Sequence, residues 1–304
     1  MAVDRLYGAV HFRYDPVSEA AIFTLVGADG SEPISITNRL PIELVGEDGS
    51  TKVSVNNRYP VGQYEVDIAR GNITGAESYG AYGERTTTGA ETNILWPDGT
   101  YALPPASGVQ PSLVSTSAND SSAGTGIRTV DVHYLDTELA EQTETVTMNG
   151  TTPVVMVATD VRFITCLHMN TYGSGKSSAG VISCSVGAQV YSQIVAGAVR
   201  CSSSVRMVPA GKRLMVTGMY GGSVSGTAAA STKFYFVTSS FEGHDYSADS
   251  VFFPIGAAAF QDGSGGMRFN PPIPFEEGAA VGMSFVTDKA ATIVGSWFGY
   301  LENA

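Results

Sequence analysis

From Ile127 onward the sequence alternates apolar and polar residues with a period of two, and turn-forming residues break the alternation every roughly 8–15 positions. Val130, Val132 and Tyr134 alternate with Thr129, Asp131 and His133. After Asp136–Glu141 the chain returns through Thr143, Thr145 and Thr147. Successive side chains of a strand point to opposite faces, so text of this kind buries one face and wets the other. Local propensity over Thr137–Glu144 favours a helix. So short a helix is marginal alone, and the period-2 runs on either side predict a hairpin instead. Asn149-Gly150 marks the next turn. Further strands are expected at Val154–Val157, Arg162–Asn170, Gly180–Val186, Gln189–Ile194, Ser203–Val208, Arg213–Tyr220, Thr232–Thr238, Met283–Thr287 and Thr292–Tyr300. Short strands at this spacing predict an all-β fold, a jelly-roll-type β-sandwich over residues 127–304.

Composition agrees. The chain has 304 residues, 43% of them apolar and 15% charged, with 35 glycines. Glycine supplies the positive φ of tight turns, and β-branched residues fill pleated surfaces; neither favours helices. Asn270-Pro271-Pro272-Ile273-Pro274 cannot donate fully to a ladder, so this segment is expected along a sheet edge. Phe285, Val294, Trp297, Phe298 and Tyr300 offer large apolar area to the core or to a subunit interface.

Ahead of this region lies a tandem repeat. Leu25-Val26-Gly27-Ala28-Asp29-Gly30-Ser31, followed by Ile34-Ser35-Ile36-Thr37-Asn38-Arg39-Leu40-Pro41, recurs nineteen residues later. The second copy is Leu44-Val45-Gly46-Glu47-Asp48-Gly49-Ser50, then Val53-Ser54-Val55-Asn56-Asn57-Arg58-Tyr59-Pro60. Each copy reads as strand, Asp-Gly turn, strand and an extended stop before proline. Two such hairpins cannot bury a core alone. Residues 1–65 are therefore expected to form an extended, hairpin-bearing arm that docks on another subunit or folds back on this chain. Asp29, Gly30, Asn38, Arg39, Asp48, Gly49, Asn57 and Arg58 are its candidate contact residues. Residues 66–126, rich in Gly, Tyr and Pro, are expected as loop, with Ser115–Gly126 turn-rich. Tyr79, Tyr82, Trp96 and Tyr101 in this stretch are candidate aromatic contacts for sugars or a partner's pocket, unless the loop packs them inward.

Several motifs suggest chemistry and fail on spacing. Gly173-Ser174-Gly175-Lys176-Ser177 resembles a phosphate-binding loop, but Asn170 stands where the first glycine is required. Gly221-Gly222-Ser223-Val224-Ser225-Gly226 misplaces its serine for a nucleophile elbow and is expected as a loop. His11, His133, His168 and His244 show no metal-ligand spacing. His244, Asp245 and Ser247 are sequence neighbours, which cannot form a triad on their own. Glu276 and Glu277 point apart on an extended chain. Asn72, Asn119 and Asn149 begin glycosylation sequons of the kind that arise by chance in Ser/Thr-rich text. Cys166, Cys184 and Cys201, odd in number and without CxxC spacing, are expected as buried free thiols. No enzyme, metal or cofactor is expected.

Twenty-nine acidic against 17 basic residues give a net charge of −12. Without a Lys/Arg cluster, nucleic acid is not an expected partner. The most apolar stretch, Val251–Phe260, is broken by Pro254 and Gly256, so no bilayer span is expected. No charged region is followed by an apolar one, so no secretory leader is expected.

A wider set of residues carries a resemblance: Ala69-Arg70-Gly71-Asn72-Ile73, Gly89-Ala90-Glu91-Thr92-Asn93-Ile94-Leu95-Trp96, Ser117-Ala118-Asn119-Asp120 and Gly124-Thr125-Gly126-Ile127-Arg128-Thr129-Val130. It continues through Leu135-Asp136, Glu144–Val154 and Val208-Pro209-Ala210-Gly211-Lys212. In these the chain resembles structural proteins of tailed-bacteriophage virions, of the kind found in marine and environmental phages, over roughly residues 25–215. The resemblance implies a decoration, head- or tail-associated protein that binds capsid or tail subunits in the virion. A homo-oligomer, with a trimer as the expected form, suits that role. The alternative is a host-recognition fibre or tip module that binds surface glycans. No catalytic residues are implied.

Overall fold

The structure, a computed structural model, describes residues 10–15, 20–26, 33–35, 43–45, 52–54, 61–225, 229–241, 243–245, 251–261 and 263–304. The chain divides into two compact units, Met1–Gly62 and Gln63–Ala304.

The first unit contains β1 (Val10–Asp15), β2 (Ala20–Val26), β3 (Pro33–Ser35), β4 (Glu43–Val45) and β5 (Lys52–Ser54). Strands β1, β2 and β3 form one antiparallel sheet, and β4 with β5 forms a two-stranded ribbon. In β2–β3 the partners are Thr24 with Ser35, Leu25 with Ile34 and Val26 with Pro33. In β4–β5 they are Glu43 with Ser54, Leu44 with Val53 and Val45 with Lys52. The second set is the first moved along by nineteen residues, so the repeat in sequence is a repeat of hairpin register. The eight candidate arm residues, Asp29, Gly30, Asn38, Arg39, Asp48, Gly49, Asn57 and Arg58, lie outside the described residues.

All but the first two residues of helix α1 (Val61–Ala69) belong to the second unit, which goes on with β6 (Ala76–Thr86), β7 (Glu91–Ile94), β8 (Ser112–Ser115), β9 (Ile127–Leu135) and β10 (Glu141–Thr147). It continues with β11 (Val154–Val155), β12 (Phe163–Tyr172), β13 (Ile182–Val186), β14 (Gln189–Ile194), β15 (Arg206–Met207) and β16 (Lys212–Val224). The last elements are β17 (Ser231–Thr238), β18 (Ser240–Phe241), β19 (His244–Asp245), β20 (Phe253–Gln261), β21 (Gly263–Phe275), β22 (Ala280–Thr287) and β23 (Thr292–Asn303).

The unit is all-β, built on four antiparallel sheets in a propeller-like, four-bladed arrangement. Their orders are β10-β9-β12, β11-β8-β13-β14, β15-β22-β17-β20 with β7 added on β22, and β21-β16-β23-β6. The first two sheets share a core that includes Leu113, Val130, Val132, Leu167, Ile182 and Ile194. The other two share a larger one around Leu214, Phe234, Phe236, Met283, Phe285 and Trp297. A third cluster holds Trp96, Tyr101, Leu103, Leu135, Phe163 and Met207, and thus draws residues from both pairs.

This arrangement corrects three expectations. Residues 66–126 are not simply loop, and the sheets do not begin at 127. Strands β6, β7 and β8 are built into three of the four sheets, so the single jelly-roll sandwich over 127–304 does not describe the topology. The glycines of β6 are demanded by crowding rather than by turns. A Cβ on Gly83 would collide with the Leu95 carbonyl oxygen and crowd the Ser204 amide. Gly221-Gly222-Ser223 likewise lies inside β16 and not in a loop. A helix does form: α1 buries Ile68, stacks Tyr64 edge-on to Tyr300 with centroids 5.4 Å apart, and offers Glu65 to Arg268 at 3.2 Å. Packing of this kind sustains a nine-residue helix that would fray alone.

Other expectations hold. Residues 141–147 form a strand, β10, paired with β9 in a hairpin. The proline-rich β21 lies at the edge of its sheet and, among the described residues, pairs only with β16. Its register on β16 jumps from Val216 opposite Ile273 to Gly218 opposite Arg268, so Phe269–Pro272 bulge out of the ladder.

The thiol expectation is overturned in part. Cys166 and Cys201 form a disulfide across 35 residues, while Cys184 is free and buried. Strand pairing decides this: the Cys201 amide donates to the Leu167 carbonyl at 3.0 Å, which brings the two cysteines side by side. Burial pushes the Cys184 thiol up to about 12, so it stays protonated and unreactive.

One buried carboxylate organises the Ser115–Gly126 turns. Asp120 is fully buried and accepts hydrogen bonds from Ser115 Oγ at 2.6 Å and from the amides of Ile127, Ala179 and Gly180 at 2.8–2.9 Å. It thereby ties the start of β9 to the loop that precedes β13.

Two outcomes follow from this packing. Thiol titration of the denatured chain should find one reactive cysteine before reduction and three after it. Asp120→Ala leaves three amides and a hydroxyl without their acceptor and should lower unfolding free energy by about 3 kcal/mol, read from denaturant melts.

Candidate functional site

A cleft of about 610 Å³ opens where the β10-β9-β12 sheet meets the segment leading into β15. Strand alternation explains its lining. Val130, Val132 and Leu167 face the core, so Asp131 and His133 on β9 and His168 on β12 face outward. In register, Asp131 lies opposite His168 and His133 lies opposite Cys166. The rings of His133 and His168 meet edge to face, with centroids 5.2 Å apart. On the neighbouring strand β10, Thr143 Oγ1 lies 3.0 Å from His133 Nδ1. Asp131 accepts from Thr145 Oγ1 at 2.6 Å and from Asn170 Nδ2 at 2.8 Å.

Arg206 lines the cleft from the other side. Its Nη1 donates to the carbonyl oxygens of Ser203 at 3.2 Å and Val205 at 2.7 Å. Burial lowers its pKa, and the phenols of Tyr79 and Tyr101 oppose that shift; a guanidinium nonetheless stays charged at any physiological pH. Burial also raises Tyr79 to about 12. His168 is pushed below its ordinary value first by burial and then by the positive groups His133, Arg200 and Arg206, with Asp131 opposing. The cleft thus sets the Arg206 guanidinium opposite imidazole, hydroxyl and carboxylate groups, an arrangement suited to binding.

The four aromatic candidates do not form one exposed loop. Trp96 and Tyr101 are buried together, centroids 5.2 Å apart, and Trp96 Nε1 donates to the Gly99 carbonyl at 2.8 Å. Tyr79 packs toward Trp297 at 6.0 Å. Tyr82 alone is exposed, with its hydroxyl donating to Glu84 at 2.6 Å. The physical reason is the strand character of β6, which aims Tyr79 at the neighbouring sheets.

The failed motifs have structural explanations. The amides of Gly173 and Gly175 donate to the carbonyls of Gly126 and Thr125, so they do not gather around an anion. Glu276 holds Arg213 at 3.0 Å, while Glu277 accepts from the Gly211 amide. His244 and Asp245 are exposed on β19, and Ser247 lies outside the described residues. Among the described residues no group of three or more His, Cys, Asp or Glu is placed to hold a metal ion. No helix there is long and apolar enough to cross a membrane. The sequence shows His133 and His168 only as histidines without metal-ligand spacing and gives no sign of Arg206, because the three are far apart along the chain. The one available signal was that both histidines occupy outward positions of period-2 strands.

No protein-family model, curated protein or solved structure matches this chain.

The depressed His168 has a thermodynamic consequence. Its folded pKa lies below the unfolded value of 6.5, so on acidification the unfolded chain takes up the proton first. Stability contributed above pH 6.5 is therefore lost as pH falls toward the folded value. Thermal melts between about pH 7 and pH 5 should show this decline, and His168→Gln should make it shallower.

Proposed function

We propose that this chain is a structural protein of a tailed-phage virion, which attaches to capsid or tail subunits through its N-terminal hairpins and carries a rigid β-rich body. The observation that supports it most is the exact repetition of hairpin register between β2–β3 and β4–β5. Two strands of three residues each, as in β4–β5, bury too little to persist without a further surface. Among the described residues β4 and β5 pair only with each other, which leaves outer edges able to take a neighbour's strand. Two hairpins in the same register give two equivalent attachment points, and their affinities multiply when a partner presents two matching edges.

The phage resemblance over residues 25–215 supplies the partner class. The Cys166–Cys201 disulfide is in keeping with a particle exposed to an oxidising exterior. The glycan-binding alternative would draw on Tyr82 and Tyr79, because Trp96 and Tyr101 are core residues.

Removing residues 1–62 tests attachment. In a phage complemented with the truncated gene, particles should lack the protein, while purified 63–304 should still melt cooperatively. Normal incorporation of the truncated chain would overturn the reading.

A further inference from the structure

The cleft beside Arg206 has a chemistry that attachment through residues 1–62 does not use. Arg85, Arg213 and Arg268 each hold a glutamate. Arg206, like Arg70, Arg128 and Arg200, has no carboxylate partner among the described residues, and of these four it alone lines the cleft. Its two hydrogen bonds, both from Nη1 to backbone carbonyls, orient the guanidinium and leave Nε and Nη2 uncommitted among the described residues. An oriented guanidinium with an open edge matches a planar, two-oxygen anion.

The opposite wall mixes polar groups, an aromatic face and one carboxylate. Thr143, Thr165 and His168 bring hydroxyl and imidazole groups, and Tyr134 brings an aromatic face. Glu141 is exposed, with Arg206 more deeply set. A carboxylate so placed accepts hydrogen bonds from ligand hydroxyls and repels additional negative charge, which disfavours phosphate dianions and polyanions. The volume of about 610 Å³ falls in the range that holds a small ligand, and its mixed polar and aromatic lining suits one with both hydroxyl groups and an apolar face.

We propose that this cleft binds a carboxylate carried on a hydroxyl-rich frame, an acidic sugar residue, with Arg206 gripping the carboxylate and Glu141, Thr143 and Thr165 meeting the hydroxyls. The inference does not rest on virion attachment: loss of attachment in the 1–62 deletion says nothing of the cleft, and the reverse holds too.

Calorimetric titration of the full chain with glucuronate, glucose and inorganic phosphate at constant ionic strength tests it. Glucuronate should bind saturably, with glucose and phosphate at least about tenfold weaker. Arg206→Gln should weaken glucuronate by at least about tenfold, and Arg206→Lys, which keeps the charge and loses the fork, by an intermediate factor. Thr143→Val, at an exposed position, should weaken it about threefold without lowering Tm. Should Arg206→Gln fail to fold, Arg206→Lys and Thr143→Val decide the matter. Absence of glucuronate binding, equal binding of glucose or phosphate, or wild-type affinity in the folded Arg206 variants would each overturn the proposal.

Discussion

Residues 200–207 hold the body together, because one short stretch is bonded to both pairs of sheets. Ser204 is fully buried, and every polar group it has is used. Its amide donates to the Leu95 carbonyl at 3.0 Å, and its carbonyl accepts from Trp297 Nε1 at 2.7 Å. Its hydroxyl exchanges hydrogen bonds with the backbone of Met283 at 3.1–3.2 Å. Three residues earlier, Cys201 is bonded to Cys166 in β12 and donates its amide to Leu167. A buried polar group costs free energy unless it is paired, so this satisfied cluster leaves the segment little freedom to shift. The geometry of the cleft follows, since Arg206 lies two residues beyond Ser204.

The aromatic residues between β7 and β8 close the same seam from another direction. Trp96, Tyr101 and Leu103 pack against Leu135 and Phe163 from one pair of sheets and against Val205, Met207 and Ala280 from the other. Large side chains of this kind remove much apolar area from water, and their edge-to-face packing adds to it. The phenols of Tyr79 and Tyr101 also surround Arg206 with polar but uncharged partners.

Much of the fold was legible because strand text carries its own period. Gln189–Ile194 was located to the residue, and the β9–β10 hairpin was recovered against local helix propensity. The edge position of β21 followed from its prolines. Legibility failed where a residue's purpose depends on a distant neighbour. Gly83 reads as a loop residue, yet it is glycine because Leu95 and Ser204 pass within van der Waals distance. The cysteines read as unpaired because an odd count hides which two are brought together by the Cys201–Leu167 contact. The cleft could not be read at all, since His133, His168 and Arg206 meet only through strand pairing and the fold of the seam.

The all-β character of the chain, the places of most strands and the nineteen-residue hairpin repeat near the N-terminus are all written in the sequence. These are local properties, written in side-chain alternation and turn chemistry. Long-range contacts decide that four main sheets form in place of one sandwich, which aromatics are core, which cysteines are joined, and that Arg206 faces the cleft. Each of those depends on contacts between residues far apart in the chain, and pairing energies of that kind leave no periodic trace in the sequence.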